Sequence, residues 1–212
     1  MTRRPYHACT HALAPVFSDR RRRRIGILGG SFNPAHAGHS HIADLAVQHL
    51  QLDEVWWLVS PQNPLKSTRG MGRFSARFDK AVAQASSCRY SSRMRVSRLE
   101  QALNISQTAL SLRQINRRAP RVTFTWIMGA DNLAGFHRWH RPHVIARTMA
   151  IAVVNRPDSR ARALASQGAR IAGQRLRPRQ LAARGLPPLN WCFIDGRLNH
   201  QSATALRAKR QG

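Results

Sequence analysis

Acidic residues are scarce in this chain. Nine Asp and Glu stand against 35 Lys and Arg, a formal net charge of +26 over 212 residues. Lysine is nearly missing too: only Lys66, Lys80 and Lys209 are present, so the positive charge is almost all arginine. A surface shaped for the nucleic-acid backbone commonly draws on both cations and gathers them on one face. Here the arginines are spread along the whole chain, which reads as compositional drift over a solvated surface and argues against a nucleic-acid partner. No apolar run approaches the ~18 residues that span a bilayer, which excludes a membrane role. Cys9, Cys88 and Cys192 are odd in number and widely spaced with no C-x-x-C, which favours free thiols in a reducing cytoplasm over a disulfide frame or a zinc knuckle. Neither G-x-x-x-x-G-K-[ST] nor G-x-G-x-x-G occurs, which excludes a P-loop kinase and an ordinary dinucleotide dehydrogenase.

Residues 1–24, MTRRPYHACTHALAPVFSDRRRRR, end in five consecutive arginines and show no periodicity. They lack the apolar stretch of roughly 7–15 residues that marks a secretory signal, and read as a disordered basic arm. Residues 25–212 are expected to form a single domain.

Within that domain, Ile25–Leu28 is a short apolar strand ending in Gly29-Gly30, followed from Gly38 by Ile42, Leu45, Ala46, His49 and Leu50 at helical steps. Val55–Ser60 is a continuous apolar run, as in a strand buried on both faces. This is a βαβ unit. A polar, glycine-rich loop, PQNPLKSTRGMG, comes next. The pattern then predicts a helix over Phe74–Ala85, a short strand at Met94–Val96 and a helix through Ala109, Leu112 and Ile115. Strands follow at Val122–Gly129 and Met149–Val154, helical pieces between Arg156 and Pro188, a last strand at Trp191–Ile194, and a last helix at Ala203–Lys209. Alternating strands and helices imply an α/β fold, a doubly wound parallel sheet that binds its ligand beyond the carboxyl ends of the strands. Gly29-Gly30 and Gly129-Ala130-Asp131 both fall there.

The stretch IGILGGSFNPAHAGH, Ile25–His39, places two histidines three apart at a helix start, so both rings can share a face. Free N–H groups and the positive end of the helix dipole already favour a phosphate at such a terminus. Imidazole N–H groups add donors where charge must be stabilised as a bond to phosphorus breaks. No carboxylate or third ligand lies adjacent to make this a metal site.

GGSFNPAHAGH resembles the signature of the H-x-G-H nucleotidyltransferases. PQNPLK (Pro61–Lys66), WIMGADNLAGFHRW (Trp126–Trp139), VVNRP (Val153–Pro157) and SATALR (Ser202–Arg207) continue the resemblance in order, toward the bacterial nicotinate-nucleotide adenylyltransferase family. The resemblance implies a Rossmann-like fold and transfer of AMP from ATP to nicotinate mononucleotide, giving deamido-NAD and pyrophosphate, with Mg²⁺ carried by the ATP and no protein metal ligand. It implies that His36, His39 and Arg207 are catalytic, and that Gly29, Gly30, Ser31, Phe32, Ser202 and Thr204 join them in holding ATP. Asn33, Lys66, Thr108, Asp131, Trp139 and Arg156 would meet the mononucleotide, with Trp139 stacking on the pyridine ring. The chain departs from the family at Gln107-Thr108, where a Tyr-Thr pair is usual, and at Gln201, where a bulky residue usually precedes the serine. The alternatives are another H-x-G-H adenylyltransferase, acting on the amide-form mononucleotide or on phosphopantetheine, and an inactive basic paralogue that binds nucleic acid.

Overall fold

Strands that are apolar on both faces can be buried only between two layers of helices, and the chain folds that way. A computed structural model describes residues 22–61, 70–183, 187–199 and 201. In chain order the elements are β1 (Arg23–Gly30), α1 (Ala37–Leu50), β2 (Glu54–Val59), α2 (Phe74–Ser86), β3 (Met94–Ser97), α3 (Leu99–Ala102), α4 (Thr108–Arg118), β4 (Val122–Gly129), α5 (Ala130–Gly135), α6 (Pro142–Thr148), β5 (Ala150–Val154), α7 (Arg160–Leu164), α8 (Gln167–Ala172), β6 (Gln174–Leu176), α9 (Pro178–Ala183) and β7 (Asn190–Ile194). The strands form one seven-stranded sheet, ordered β3-β2-β1-β4-β5-β7-β6, and every pairing is parallel. The expected α/β doubly wound sheet is the fold observed.

Alternation along each strand divides the core in two. Ile25, Ile27, Trp56, Phe124, Trp126 and Met128 face one layer with Leu112 and Ile115 of α4 and Ile145 of α6. Leu28, Val55, Trp57 and Ile127 face the other with Ile42, Ala43 and Ala46 of α1 and Phe78 and Ala81 of α2. The order in which strands are added reverses between β1 and β4, which sit side by side at the centre of the sheet. The crevice at their carboxyl ends is the switch point where such folds bind ligands.

Strand β1 begins at Arg23, so Arg23 and Arg24, read above as the end of the arm, pair with Val122 and Thr123. Two of the few acids hold them: the Arg24 N–H donates to Asp53 Oδ2 at 2.8 Å, and Arg23 lies 3.0 Å from the buried carboxylate of Glu54. Residues 1–21 and the expected helix at Ala203–Lys209 lie outside the described residues.

Candidate active site

The H-x-G-H turn folds as a reciprocal helix cap. His36 is extended (φ −153°) and is the N-cap of α1. Its Nδ1 accepts the Gly38 N–H at 3.1 Å, and the His36 N–H donates to His39 Nδ1 at 3.3 Å. Two imidazoles thus do what Ser and Glu do in an ordinary capping box. The rings lie 3.9 Å apart between centroids. The cap also sets the chemistry. With Nδ1 occupied as an acceptor, a neutral ring carries its proton on Nε2. Each histidine is thereby made an N–H donor, suited to a phosphate oxygen and not to a cation.

His36 is 4% exposed, and burial, reinforced by the Arg156 cation and opposed by Asp131, lowers its pKa to about 4. Near neutral pH His36 is therefore an uncharged donor, not the cation that protonation would make it. The same field shows that His36, Asp131 and Arg156 share one locale. Asp131 lies in the first turn of α5, beyond the end of β4. Arg156 follows β5, and its Nε is 3.6 Å from Asp131 Oδ1. Three residues predicted from separate sequence blocks converge at the switch point.

Gly38 is required by close approach. A Cβ there would lie 2.8 Å from His36 Cε1 and 2.8 Å from the main-chain oxygen of Gln201. Gln201, a departure from the family pattern, has a role here: its Oε1 accepts the Ala37 N–H at 3.2 Å, at the mouth of α1. Ser202, Thr204 and Arg207 lie outside the described residues, as does Lys66, but the residue preceding Ser202 rests on the H-x-G-H turn.

The turn after β1 is fixed from below. Phe32 adopts a left-handed φ of 45°, uncommon for a bulky residue. Its buried ring stacks on Trp57 (5.3 Å) and lies 4.9 Å from that of His39, which holds the backbone in that conformation. Gly29 leaves room for a side chain of the fold, since a Cβ would lie 2.1 Å from Trp126 Cη2. Gly30 ends β1, and its carbonyl accepts the Ser60 N–H at 2.9 Å. Asn33 spends its amide on the backbone, donating to Gly70 O at 2.9 Å and accepting from the Gly72 N–H at 3.1 Å. Trp139 stands edge-on to Trp126 (6.2 Å) and Phe136 (5.5 Å), half-buried beside the end of the sheet. Thr108 is the first residue of α4, which Ser111 anchors through a 2.7 Å bond to the buried Glu100 carboxyl.

Sequence reasoning missed Arg77. It is 3% exposed, and its guanidinium reaches Ser31, Ser60, Pro61 and Gly72. A signal was there: Arg77 falls on the stripe of Phe74, Phe78 and Ala81, a cation at an apolar position of α2.

A parallel sheet with an anion-ready helix terminus at its switch point, furnished with paired N–H donors, is the framework of a nucleotidyltransferase. Residues 27–209 match the cytidylyltransferase-like family. A relative from Erythrobacter litoralis, named "Probable nicotinate-nucleotide adenylyltransferase", is 47% identical over 188 residues, 87% of this chain and 83% of that protein. One of the same name from Brucella suis is 42% identical over 86% of this chain and 93% of its own length. Among solved structures, a Plasmodium falciparum nicotinic acid mononucleotide adenylyltransferase complexed with NaAD shares the fold, with a TM-score of 0.66 at 17% identity, covering 88% of this chain and 83% of that one. The chain belongs to the cytidylyltransferase-like family and, within it, to the nicotinate-nucleotide adenylyltransferases.

Proposed function

We propose that this chain transfers AMP from ATP to nicotinate mononucleotide, releasing pyrophosphate and forming deamido-NAD. The observation that carries this reading is the convergence of His36, Asp131 and Arg156 beside the capped start of α1. A phosphate oxygen of the mononucleotide attacks the α-phosphorus of ATP. The new P–O bond forms as the bond to the bridging oxygen breaks, and the electron pair leaves with pyrophosphate. No side chain is needed as a nucleophile, so catalysis is positioning and charge stabilisation. His36 and His39 offer Nε2–H donors to the triphosphate, as the neutral state and Nδ1 bonds of His36 and the Nδ1 bond of His39 favour. The backbone from Gly29 to Phe32 lies along the nucleotide, and Ser202, Thr204 and Arg207 complete the phosphate grip. Arg156 and Lys66 meet substrate charge, Asp131 accepts from ribose hydroxyls, Asn33 and Thr108 border the mononucleotide, and Trp139 offers a face to the pyridine ring.

The described residues contain no cluster of three or more His, Cys, Asp or Glu disposed to hold a metal. The histidine lone pairs at Nδ1 are spent on backbone N–H groups. That donor set suits phosphate, and fits a cation held by the triphosphate itself. That cation would be Mg²⁺ carried in by ATP, held by no side chain of the described residues, and it would supply neutralisation of charge on the leaving group. We place the reaction in the cytoplasm, a reading supported by the free, buried thiols of Cys88 and Cys192. Among the described residues no helix is long and apolar enough to cross a membrane.

The test is pyrophosphate release with ATP and Mg²⁺, supplying nicotinate mononucleotide, its amide analogue and phosphopantetheine separately. Turnover with the acid form, reduced in the others and lost in His39→Ala, is expected. Preference for the amide form or for phosphopantetheine would overturn the substrate assignment. No turnover of any of the three by the folded protein would overturn the activity.

A further inference from the structure

At the carboxyl end of a parallel sheet, loops leave the strands with carbonyl groups that the ladder no longer satisfies. Three such groups here, and a fourth at the entry to α2, share a single donor side chain. Arg77 Nη1 donates to Ser31 O at 2.6 Å and Ser60 O at 2.8 Å, Nη2 to Pro61 O at 2.7 Å, and Nε to Gly72 O at 2.9 Å. Ser31 lies in the turn after β1, Ser60 and Pro61 leave β2, and Gly72 enters α2. One planar fork therefore joins three segments distant in sequence. Gly72 is tied from its other side by Asn33, so the strap at Gly70–Gly72 and the turn after β1 are clamped twice. The partners are all carbonyl dipoles, and the guanidinium lies 5.3 Å from the Phe74 ring centroid.

Helix packing does not require this arrangement. An apolar side chain at residue 77 would pack against the sheet as Phe78 and Ala81 do. What the guanidinium adds is fixed distance between the exits of the first two strands. Those exits carry the backbone that borders the nucleotide. We infer that Arg77 is a positioning residue: it presets the turn after β1 and the exit of β2 for substrate, without touching substrate itself. This rests on the adenylyl-transfer reading of the same site. A lysine cannot replace it, because an ammonium donates from one point and cannot bridge four carbonyls. Misplacement by ~1 Å at a distance from the chemistry is enough to cost about 100-fold in rate.

Two variants and two readouts test this. Hydrogen exchange on the substrate-free protein reads the tie alone: Arg77→Lys should speed exchange in residues 29–36 and 70–73 while β4 and β5 stay protected. Kinetics then read its use. Well below the melting temperature, Arg77→Lys should raise KM for ATP at least 10-fold with a smaller fall in kcat. Arg77→Ala should be worse, and millimolar guanidinium, far below denaturing levels, should restore part of the loss. Exchange unchanged in Arg77→Lys would overturn the tie. Faster exchange with wild-type KM and kcat would overturn the positioning role and leave Arg77 a stabilising residue only. Failure of both variants to fold would overturn it as well, by making Arg77 a requirement of the whole fold. If the wild type transfers adenylyl to no acceptor, the functional reading fails while the exchange result still stands or falls independently.

Discussion

His36 caps α1 and, on the proposed function, also binds phosphate, and one pair of substitutions separates the two. As N-cap it satisfies the Gly38 N–H; in the proposed reaction its neutral imidazole would offer Nε2–H to phosphate. Alanine removes both. Replacing a good cap by alanine costs about 0.5–2 kcal/mol, which in a domain of this size lowers the melting temperature by roughly 1–8 °C. Asparagine is among the best caps, so His36→Asn should melt within about 2 °C of wild type. Its side chain is too short to reproduce the imidazole donor. A hydrogen bond to a charged partner contributes about 1.5–3 kcal/mol, so kcat/KM for His36→Asn should fall about 10- to 150-fold. Differential scanning fluorimetry and continuous pyrophosphate release measure the two effects on the same sample. A stable His36→Asn with kcat/KM within twofold of wild type would refute the argument, reducing His36 to a cap.

His36 also makes stability depend on pH. Its pKa falls from 6.5 unfolded to about 4 folded, so the unfolded state binds the proton first. Its contribution is complete above pH 6.5 and is lost as pH falls towards 4, by at most about 3 kcal/mol; urea unfolding at pH 7 and 4.5 should show a loss that is smaller in His36→Asn. Gly38→Ala forces a Cβ to within 2.8 Å of His36 Cε1 and Gln201 O, so either the ring or the Gln201 contact must shift. Activity should drop more than tenfold while circular dichroism stays native, and a wild-type rate would show that the turn has slack. Burial pushes the thiols of Cys88 and Cys192 up to about 12, so in a Cys9→Ser background a chromogenic disulfide should label neither until denaturant is added. Fast labelling of the native protein would contradict their burial. Glu54, buried and shared by Arg23, Arg95 and Trp56 Nε1, should cost about 2 kcal/mol or more on mutation to leucine, with kinetics unchanged because it lies at the amino end of β2; a neutral melting shift would mean its partners find water instead.

How much of this was legible in the sequence depends on whether a feature is local. The central strands were, because a parallel strand covered on both faces must be an unbroken apolar run, as VWWLV and TFTWIM are. Strand β6 was not: Gln174-Arg175-Leu176 is three residues at the sheet edge, mostly exposed, and carries no hydrophobic period. Helix α5 hides in GADN, which reads as a turn until burial of Ala130 and Leu133 is known. Of the site, the helix terminus and its histidines were visible because capping is a matter of neighbours in sequence. Arg77 was not, because its meaning lies in four carbonyls from other segments, and one arginine among so many carries little information until three of its neighbours are found in space. The neutrality of His36 was hidden for the same reason, since it depends on burial and on Arg156, far along the chain.

On the proposed function, these features combine into one arrangement for polyphosphate in which His36 is uncharged near neutral pH. A protonated imidazole at the helix start would add charge, but it would also have to give up the Nδ1 lone pair that caps the helix. Retaining the cap fixes the tautomer, so the act of folding α1 orients the donors and no separate hydrogen bond is needed to hold the ring. Positive charge stands beside the histidines at Arg156, whose field adds to the burial that lowers the His36 pKa. Asp131 tempers that charge through its 3.6 Å contact. On the proposed reaction a division of labour follows: the imidazole donors would define where the phosphate oxygens go, and Arg156 would supply attraction. Such a site should hold its geometry between pH 5 and 8, the range over which a histidine cation would be lost.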